Sequence, residues 1–423
     1  MRITCIIVLY LLCLPIRSAA QQHAYTRSVQ LYRDNKLDSA GYYARQAIGL
    51  YTKTARKDSL VLAYTQQALI TWDAKSAEAA LKIMDTAIRL SKQLPAQHVA
   101  TVAAFSRAGQ IYVQQQDFNK AATLLQFAAQ AVPERDTMNR HIVFLYNNTA
   151  ILYLMQDEYD KARPWAQRAY QLNLKLQGKD GQDMPSLLQT NYYISQYSEQ
   201  YQQALAEGKE LQRVMLLHYP PGHRAIGILH NSLGNIYEAL LQYEEALYHR
   251  RKALDIQFAN YQQKKNNGFS LASAYQNLGN LYSYINEHFL AQEYLAKGSA
   301  IFEQVYGPDE AGMIKILVGV ADNKRKLGAW TEAEKLFGRA YALQQKHGPT
   351  DADAMAYVET FYGDLYLDQQ QFAKAEQYYR LALKHFEQAG AMQTRLALQT
   401  QEALATVLSG KGQYDAALHL SKR

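Results

Sequence analysis

The chain of 423 residues is poor in cysteine, proline and glycine. It contains two cysteines, Cys5 and Cys13, together with nine prolines and 22 glycines. Both cysteines lie in a stretch that we expect to be removed, so the mature chain would have no disulfide, thiolate zinc site or cysteine nucleophile. The scarcity of helix-breaking residues favours a helical protein.

A long apolar run is also missing. Arg2 is followed by an apolar stretch over residues 3–14, which is too short to span a bilayer, and small residues follow at 18–20. This order predicts a signal peptide over residues 1–20, cleaved before Gln21. A retained anchor is the alternative, although it would need a longer apolar run. We expect no membrane span after cleavage.

Charge of one sign is not concentrated anywhere in the chain. The formal net charge of +7 falls to about +5 when Arg2 and Arg17 leave with the signal peptide. No tract of lysine and arginine occurs, so nucleic acid is not expected as a partner. With 48% hydrophobic and 20% charged residues, the composition is that of a folded protein rather than a disordered one.

What the sequence does have is a repeat. An alanine recurs every 40 to 45 residues, most often every 42, at Ala40, Ala80, Ala121, Ala162, Ala204, Ala246, Ala291, Ala333, Ala375 and Ala417. A second, mostly small residue follows seven positions later, which is two helical turns and therefore the same helix face. Twelve positions earlier a small residue stands in eight of the ten units, with Ser28 and Tyr192 as the misfits. The pattern predicts ten helical hairpins whose helices approach closely at these positions.

The best-formed unit, residues 228–256, resembles the tetratricopeptide repeat (TPR). It has Leu233-Gly234, then Tyr237, Ala246 and Ala253 in the TPR order, although its first position holds a histidine instead of tryptophan. The 42-residue period and the Asn-Asn pair at 147–148 resemble the kinesin-light-chain class of TPR. The resemblance implies an all-α fold, a right-handed α-solenoid of about ten repeats, with the first helix of each hairpin lining the concave side.

We expect the TPR array to cover residues 21–423. The repeats are predicted at roughly 21–60, 61–101, 102–142, 143–184, 185–226, 227–271, 272–313, 314–355, 356–397 and 398–423. The last of these is incomplete. We therefore expect either that the natural chain continues beyond Arg423 or that this end frays.

Motifs for catalysis are absent. The sequence has no phosphate-binding GxxxxGK[ST] loop and no HExxH zinc motif. His218, His223 and His230 are spaced by five and seven residues across a Pro-Pro pair, which favours surface histidines over a metal site. We predict that the protein is not an enzyme and needs no cofactor or metal.

Polar residues of the predicted first helices are the candidate binding site. Asparagine costs roughly 0.5 kcal/mol relative to alanine inside a helix, so a recurrent set requires a reason. A carboxamide both donates and accepts hydrogen bonds, so it can hold the backbone of an extended peptide, as an asparagine ladder does in the TPR proteins that this chain resembles. The predicted carboxamides are Asn147, Asn148, Asn231, Asn235, Gln276, Asn277 and Asn280, and Tyr197 and Tyr284 are predicted to add apolar pockets. The alternative is that the carboxamides bridge neighbouring repeats.

The predicted groove would also change charge along its length. Lys315, Arg325 and Lys326 belong to the eighth repeat, whereas Asp364 and Asp368 belong to the ninth. These charges could orient a partner of mixed charge, or they could form an ordinary solvated face.

The sequence therefore predicts a non-catalytic scaffold that binds a protein or an extended peptide in the concave groove. The signal peptide, the lack of cysteine and the style of the repeats suggest export to the periplasm of a Gram-negative bacterium. The alternative is the sensory or scaffolding N-terminal region of a larger signalling protein, with a histidine kinase, a transcription regulator or a CHAT protease as its C-terminal part.

Overall fold

The computed structural model describes residues 22–34, 36–54, 56–132, 138–264, 268–348 and 350–421. Within these ranges the chain forms twenty α-helices and no strand, which confirms the predicted all-α class. The predicted signal peptide lies outside the described residues.

The helices follow one another with short connections. They are α1 (22–33), α2 (Leu37–Thr52), α3 (Lys57–Ala74), α4 (Ala77–Ser91), α5 (Val99–Gln114), α6 (Phe118–Gln130), α7 (Arg140–Met155), α8 (Tyr159–Gln177), α9 (Met184–Tyr197), α10 (Tyr201–His218), α11 (Arg224–Ala239), α12 (Tyr243–Gln262), α13 (Phe269–Tyr284), α14 (His288–Tyr306), α15 (Met313–Lys326), α16 (Trp330–His347), α17 (Ala352–Asp368), α18 (Phe372–Gln388), α19 (Arg395–Gly410) and α20 (Tyr414–Ser421). Each odd-numbered helix forms a hairpin with the next even-numbered helix, which gives ten hairpins.

The chain divides into two compact units, Met1–His218 and Tyr219–Arg423. The first contains α1–α10 and the second contains α11–α20. In the second unit each odd helix packs against its hairpin partner and against the next odd helix, and the same holds in the first unit from α3 onward. A hairpin cannot bury its apolar face alone, so this stacking supplies the core of a helical-repeat fold.

The recurrent alanines lie in the even helices, one in each. Nine of them, from Ala40 to Ala375, are fully buried, and Ala417 is nearly so. Glycines of the odd helices lie opposite large residues. A Cβ on Gly109 would be 2.7 Å from Leu125 Cγ, and one on Gly279 would be 2.7 Å from Leu295 Cγ. In both pairs the large residue follows the small one by sixteen positions.

Ser28 and Tyr192, which depart from the small-residue pattern, still pack at the same helix crossing. Ser28 is buried in α1 and its hydroxyl donates to the carbonyl of Ala40 at 2.8 Å, so a small polar residue replaces alanine without an unsatisfied hydrogen bond. Tyr192 is fully buried in α9, and the residue sixteen positions later is the buried Gly208. The fifth hairpin therefore exchanges the large and the small position between its two helices.

The turn inside a hairpin has a constant shape. In the third to tenth hairpins the residue two positions before the even helix has a left-handed φ of 57° to 76°, whether it is Gln116, Leu241 or Gly412. The next N–H donates to the carbonyl five residues earlier, as Asp117 does to Tyr112 at 3.0 Å. This is the Schellman arrangement that ends a helix. The turn recurs with non-glycine residues at this position. Helix packing, and not the local sequence, therefore determines its shape.

The close crossing predicts opposite effects for two glycine substitutions in the first unit. Gly109→Ala should destabilise the protein by about 1–3 kcal/mol, because the buried Leu125 cannot move away from the new methyl group. Gly49→Ala should stabilise α2 by about 0.5–1 kcal/mol, because a Cβ there meets no atom within 4 Å. Thermal and urea unfolding of both variants measure this, and equal shifts of one sign would contradict it.

Candidate ligand-binding groove

The second unit contains a groove with a volume of about 1090 Å³. Residues of α11, α13, α15 and α17 line it, together with residues of the second helices. Four of the predicted carboxamides contribute to the lining: Asn231, Gln276, Asn277 and Asn280. The volume slightly exceeds that of a typical small-molecule pocket, about 300–1000 Å³, and suits a segment of extended chain.

Two of the predicted carboxamides hold a buried arginine. Arg250, in α12, is 3% exposed and lies sixteen residues after Gly234, at the place where Leu295 stands in the next hairpin. Its guanidinium donates to Asn231 Oδ1 and Asn235 Oδ1, each at 2.6 Å, and to Glu238 Oε1 at 2.8 Å. A buried cation must keep such partners, so these two carboxamide oxygens have a structural role.

Two further carboxamides join neighbouring hairpins. The amide of Asn277 donates to Asn231 Oδ1 at 3.1 Å, and the amide of Gln276 donates to the carbonyl of Lys315 at 2.8 Å. These bonds connect α13 with α11 and α15, as expected if the carboxamides bridge neighbouring repeats. Asn280 differs, because its side chain is exposed where it lines the groove.

The predicted carboxamides of the fourth repeat lie in the first unit. Asn147 and Asn148 are 3% and 2% exposed in α7. The amide of Asn148 donates to Ser106 of α5, to the carbonyl at 3.2 Å and to the hydroxyl at 3.1 Å. This is again a bond between neighbouring hairpins, and burial of both side chains keeps them from an incoming peptide in this conformation.

The two predicted tyrosines are exposed but do not line the groove. Tyr197 belongs to the first unit, where its ring centre is 6.0 Å from that of Tyr193. Tyr284 belongs to the second unit, with its ring centre 5.5 Å from that of Tyr243. A hydrogen bond from Tyr243 lowers the pKa of the Tyr284 hydroxyl, and a hydrogen bond from Arg395 acts in the same direction.

Charges of both signs line the groove. Arg224 lies at the start of α11 and Lys315 near the start of α15, whereas Asp351 and Asp353 lie at the start of α17. None of these four side chains forms an ion pair within the described part of the chain. Apolar contact surface is supplied by Ile228, Phe269 and Tyr357. The groove can therefore contact a chain that carries acidic, basic and apolar side chains.

The other predicted groove charges all have partners within the protein. Arg325 forms ion pairs with Asp322 of its own helix and with Asp368 of α17, and Lys326 pairs with Asp322 at 3.1 Å. Asp364 accepts a hydrogen bond from Tyr379 at 2.6 Å, and burial raises the pKa of its carboxyl. Of the charges predicted for the eighth repeat, Lys315 lines the groove. The sequence pattern did not identify Arg224, Asp351 or Asp353 as groove residues.

The described residues contain no metal centre and no membrane-spanning helix. No group of three or more histidine, cysteine, aspartate or glutamate side chains is arranged to hold a metal ion there. No helix in the same ranges combines the length and the apolar character needed to cross a membrane.

Comparison with known proteins agrees with the fold. Residues 270–346 match the family described as Tetratricopeptide repeat. The crystal structure of the apo form of RapI has a TM-score of 0.54 and 14% identity, over 68% of this chain and 97% of RapI. A Rap protein complexed with competence and sporulation factor has a TM-score of 0.53 and 13% identity, over 84% of this chain and 99% of that chain. No curated protein matches the sequence.

The hairpins define the chain as a helical-repeat scaffold. The family match identifies residues 270–346 further as tetratricopeptide repeats, and the 42-residue pattern continues through the neighbouring hairpins. The match lies on the hairpins that contribute Gln276, Asn277, Asn280 and Lys315 to the groove.

The contacts of Asn231 and Asn280 predict different consequences for the same substitution. Asn231→Ala should destabilise the protein by about 1–3 kcal/mol, because buried Arg250 loses an acceptor. Asn280→Ala should change stability by less than about 0.5 kcal/mol, because the side chain is exposed. Thermal unfolding of both variants checks this. An unchanged melting temperature for Asn231→Ala would show that the arginine does not depend on it.

Proposed function

We propose that the groove of the second unit binds an extended segment of a partner protein, without catalysis by this chain. The observation that carries the proposal is the set of groove charges that have no ion-pair partner among the described residues, with Arg224 and Lys315 on two helices and Asp351 and Asp353 on a third. Groove charges without an ion-pair partner favour a ligand with complementary charges. Asp351 also accepts a hydrogen bond from the N–H of Ala354 as the N-cap of α17, which leaves its charge without a cation.

Hydrogen-bonding capacity supports the same proposal. An extended peptide presents alternating N–H and C=O groups, and a carboxamide can pair with either. Asn280 is exposed in the groove, and Gln276 and Asn277 lie beside it on α13. In this proposal Asn280 contacts the ligand directly, whereas Asn231, Asn235, Gln276 and Asn277 hold the shape of the groove through their bonds inside the protein.

The fold comparison is compatible with this function. One of the similar structures is, by its description, a Rap protein in complex with competence and sporulation factor. The alternative role, as the N-terminal part of a larger signalling protein, stays a prediction from the sequence. It would use the same groove as its sensory surface.

The groove charges can be tested with selected peptides. Peptides from a random twelve-residue library would be selected on the immobilised mature chain, and their affinities for variants measured by fluorescence anisotropy. Lys315→Glu should weaken peptides that carry acidic residues by about tenfold, the effect of roughly 1.4 kcal/mol. Lys335→Glu is the matched control, because Lys335 lies on α16 of the same unit and does not line the groove. Equal affinities for wild type and Lys315→Glu would place binding elsewhere.

We further propose that the protein is exported to the periplasm of a Gram-negative bacterium. The basis is the order of a basic residue, an apolar stretch and small residues over positions 1–20. The mature protein isolated from a periplasmic fraction should begin at Gln21, as determined by intact mass and N-terminal peptide sequencing. Recovery of the chain in the cytoplasm with residues 1–20 attached would contradict export.

A further inference from the structure

The first unit contains a smaller cavity that is lined by cations. Its volume is about 240 Å³, and α1, α3, α5 and α7 contribute its walls. Arg33, Arg107 and Arg140 all line it, and no carboxylate does among the described residues. Three cations around one small cavity repel each other unless an anion lies between them.

The partners of the three arginines compensate one of the charges. Arg140 forms a two-pronged ion pair with Asp183. Arg107 donates to the neutral amide oxygen of Gln110 at 2.7 Å, and Arg33 donates to that of Gln182 at 2.7 Å. An amide oxygen accepts a hydrogen bond without cancelling the cation, so Arg107 and Arg33 keep their positive charge in this unit.

An aromatic ring and the helices fix Arg107 in place. Its guanidinium carbon is 3.9 Å from the centre of the Phe144 ring, and that of Arg140 is 4.9 Å from the same centre. Burial lowers the pKa of Arg107 to about 10, so the side chain stays charged at neutral pH. The ring orients both cations without neutralising them.

The titratable side chains that line the cavity carry no negative charge, and the carboxylates of Asp183 and Asp34, which act on Arg33, lie outside the lining. Burial lowers the pKa of His141 to about 4, so its ring is neutral at pH 7. Burial raises the pKa of Tyr25, so its hydroxyl stays protonated. The nearby Asp73 accepts a hydrogen bond from Tyr32 at 2.6 Å. The lining therefore presents donors and cations.

A second and independent feature also indicates a ligand. Gln66, from α3, lines the cavity and is 7% exposed, and its amide nitrogen has no hydrogen-bond partner in the described part of the chain. Leaving such a buried donor unsatisfied destabilises the folded chain. An oxygen-rich ligand in the cavity would accept from this amide and from Arg107 together.

We propose that Arg107, Arg33 and Gln66 bind a small oxyanion group in this cavity. The group is a carboxylate or a phosphate, because the planar guanidinium matches both. The cavity is smaller than the roughly 300–1000 Å³ of pockets for drug-sized ligands, so it takes one such group rather than a length of peptide. This site is independent of the groove proposed above for the partner protein.

Thermal unfolding of the mature chain tests the proposal with defined anions. Sodium phosphate and sodium acetate would be titrated separately against sodium chloride at constant ionic strength. One or both should raise the melting temperature in a saturable way, as expected for a ligand that binds the folded state. Stabilisation by phosphate alone assigns a phosphate-type ligand, and stabilisation by acetate alone assigns a carboxylate.

Three variants test whether the anion binds in this cavity. Arg107→Gln should weaken anion binding about tenfold or more, because it removes a charged donor. Gln66→Met should also weaken it, while the anion-free melting temperature stays equal or rises, because a buried unsatisfied amide is removed. Arg168→Gln is the control, since Arg168 lies over Trp165 at 5.1 Å in the same unit but does not line the cavity.

Any of three results would overturn the proposal. The first is a wild-type chain that neither anion stabilises beyond chloride. The second is anion stabilisation that persists in Gln66→Met, and the third is anion stabilisation that falls equally in the Arg168→Gln control. Gln66→Met introduces a side chain of similar size, so the test holds even if Arg107→Gln fails to fold.

Discussion

Every hairpin of this protein depends on one close helix crossing. In the third and ninth hairpins a glycine in the odd helix faces a large residue sixteen positions later in the even helix, as Gly109 faces Leu125 and Gly363 faces Tyr379. In the fifth hairpin the large Tyr192 and the small Gly208 exchange these positions. The crossing brings the backbones near enough that the recurrent alanine of the even helix is buried as well. The constant turn follows, because the two helices can be joined at this distance by one left-handed residue. Stacking of such hairpins then supplies the core.

The same crossing is polar in the sixth hairpin, because a buried arginine stands there. Arg250 occupies a position that is apolar in other hairpins, and its buried charge requires acceptors. Asn231, Asn235 and Glu238 supply them from the facing helix. Asn231 also accepts from Asn277, so a packing position in one hairpin determines contacts on the groove side of the next. Neighbouring carboxamides therefore differ in role: Asn231 holds Arg250, whereas Asn280 is the residue that we propose contacts a ligand.

Much of the fold could be predicted from the sequence, because the crossing needs small residues and these recur at a nearly constant spacing. The helix pairs, their order and the helices that carry the carboxamides all follow from Ala246 and its equivalents. The partners of the carboxamides could not be predicted in the same way. A periodic pattern identifies a helix face, but it does not reveal that Arg250 reaches Asn231 or that Asn148 reaches Ser106. The smaller cavity of the first unit could not be predicted from the sequence, because Arg33, Arg107 and Arg140 occupy different positions within their repeats and form no motif.

A double-mutant cycle on Gly109 and Leu125 tests the central claim that complementary sizes at the crossing stabilise the hairpin, here the third. Leu125→Ala alone should cost about 2–5 kcal/mol, because it leaves a cavity beside Gly109. If the two side chains share one space, Gly109→Ala should cost much less in the Leu125→Ala background than in wild type, with a coupling of about 0.5–3 kcal/mol. Additive losses of stability would contradict the account, because they would mean that the glycine and the leucine act independently.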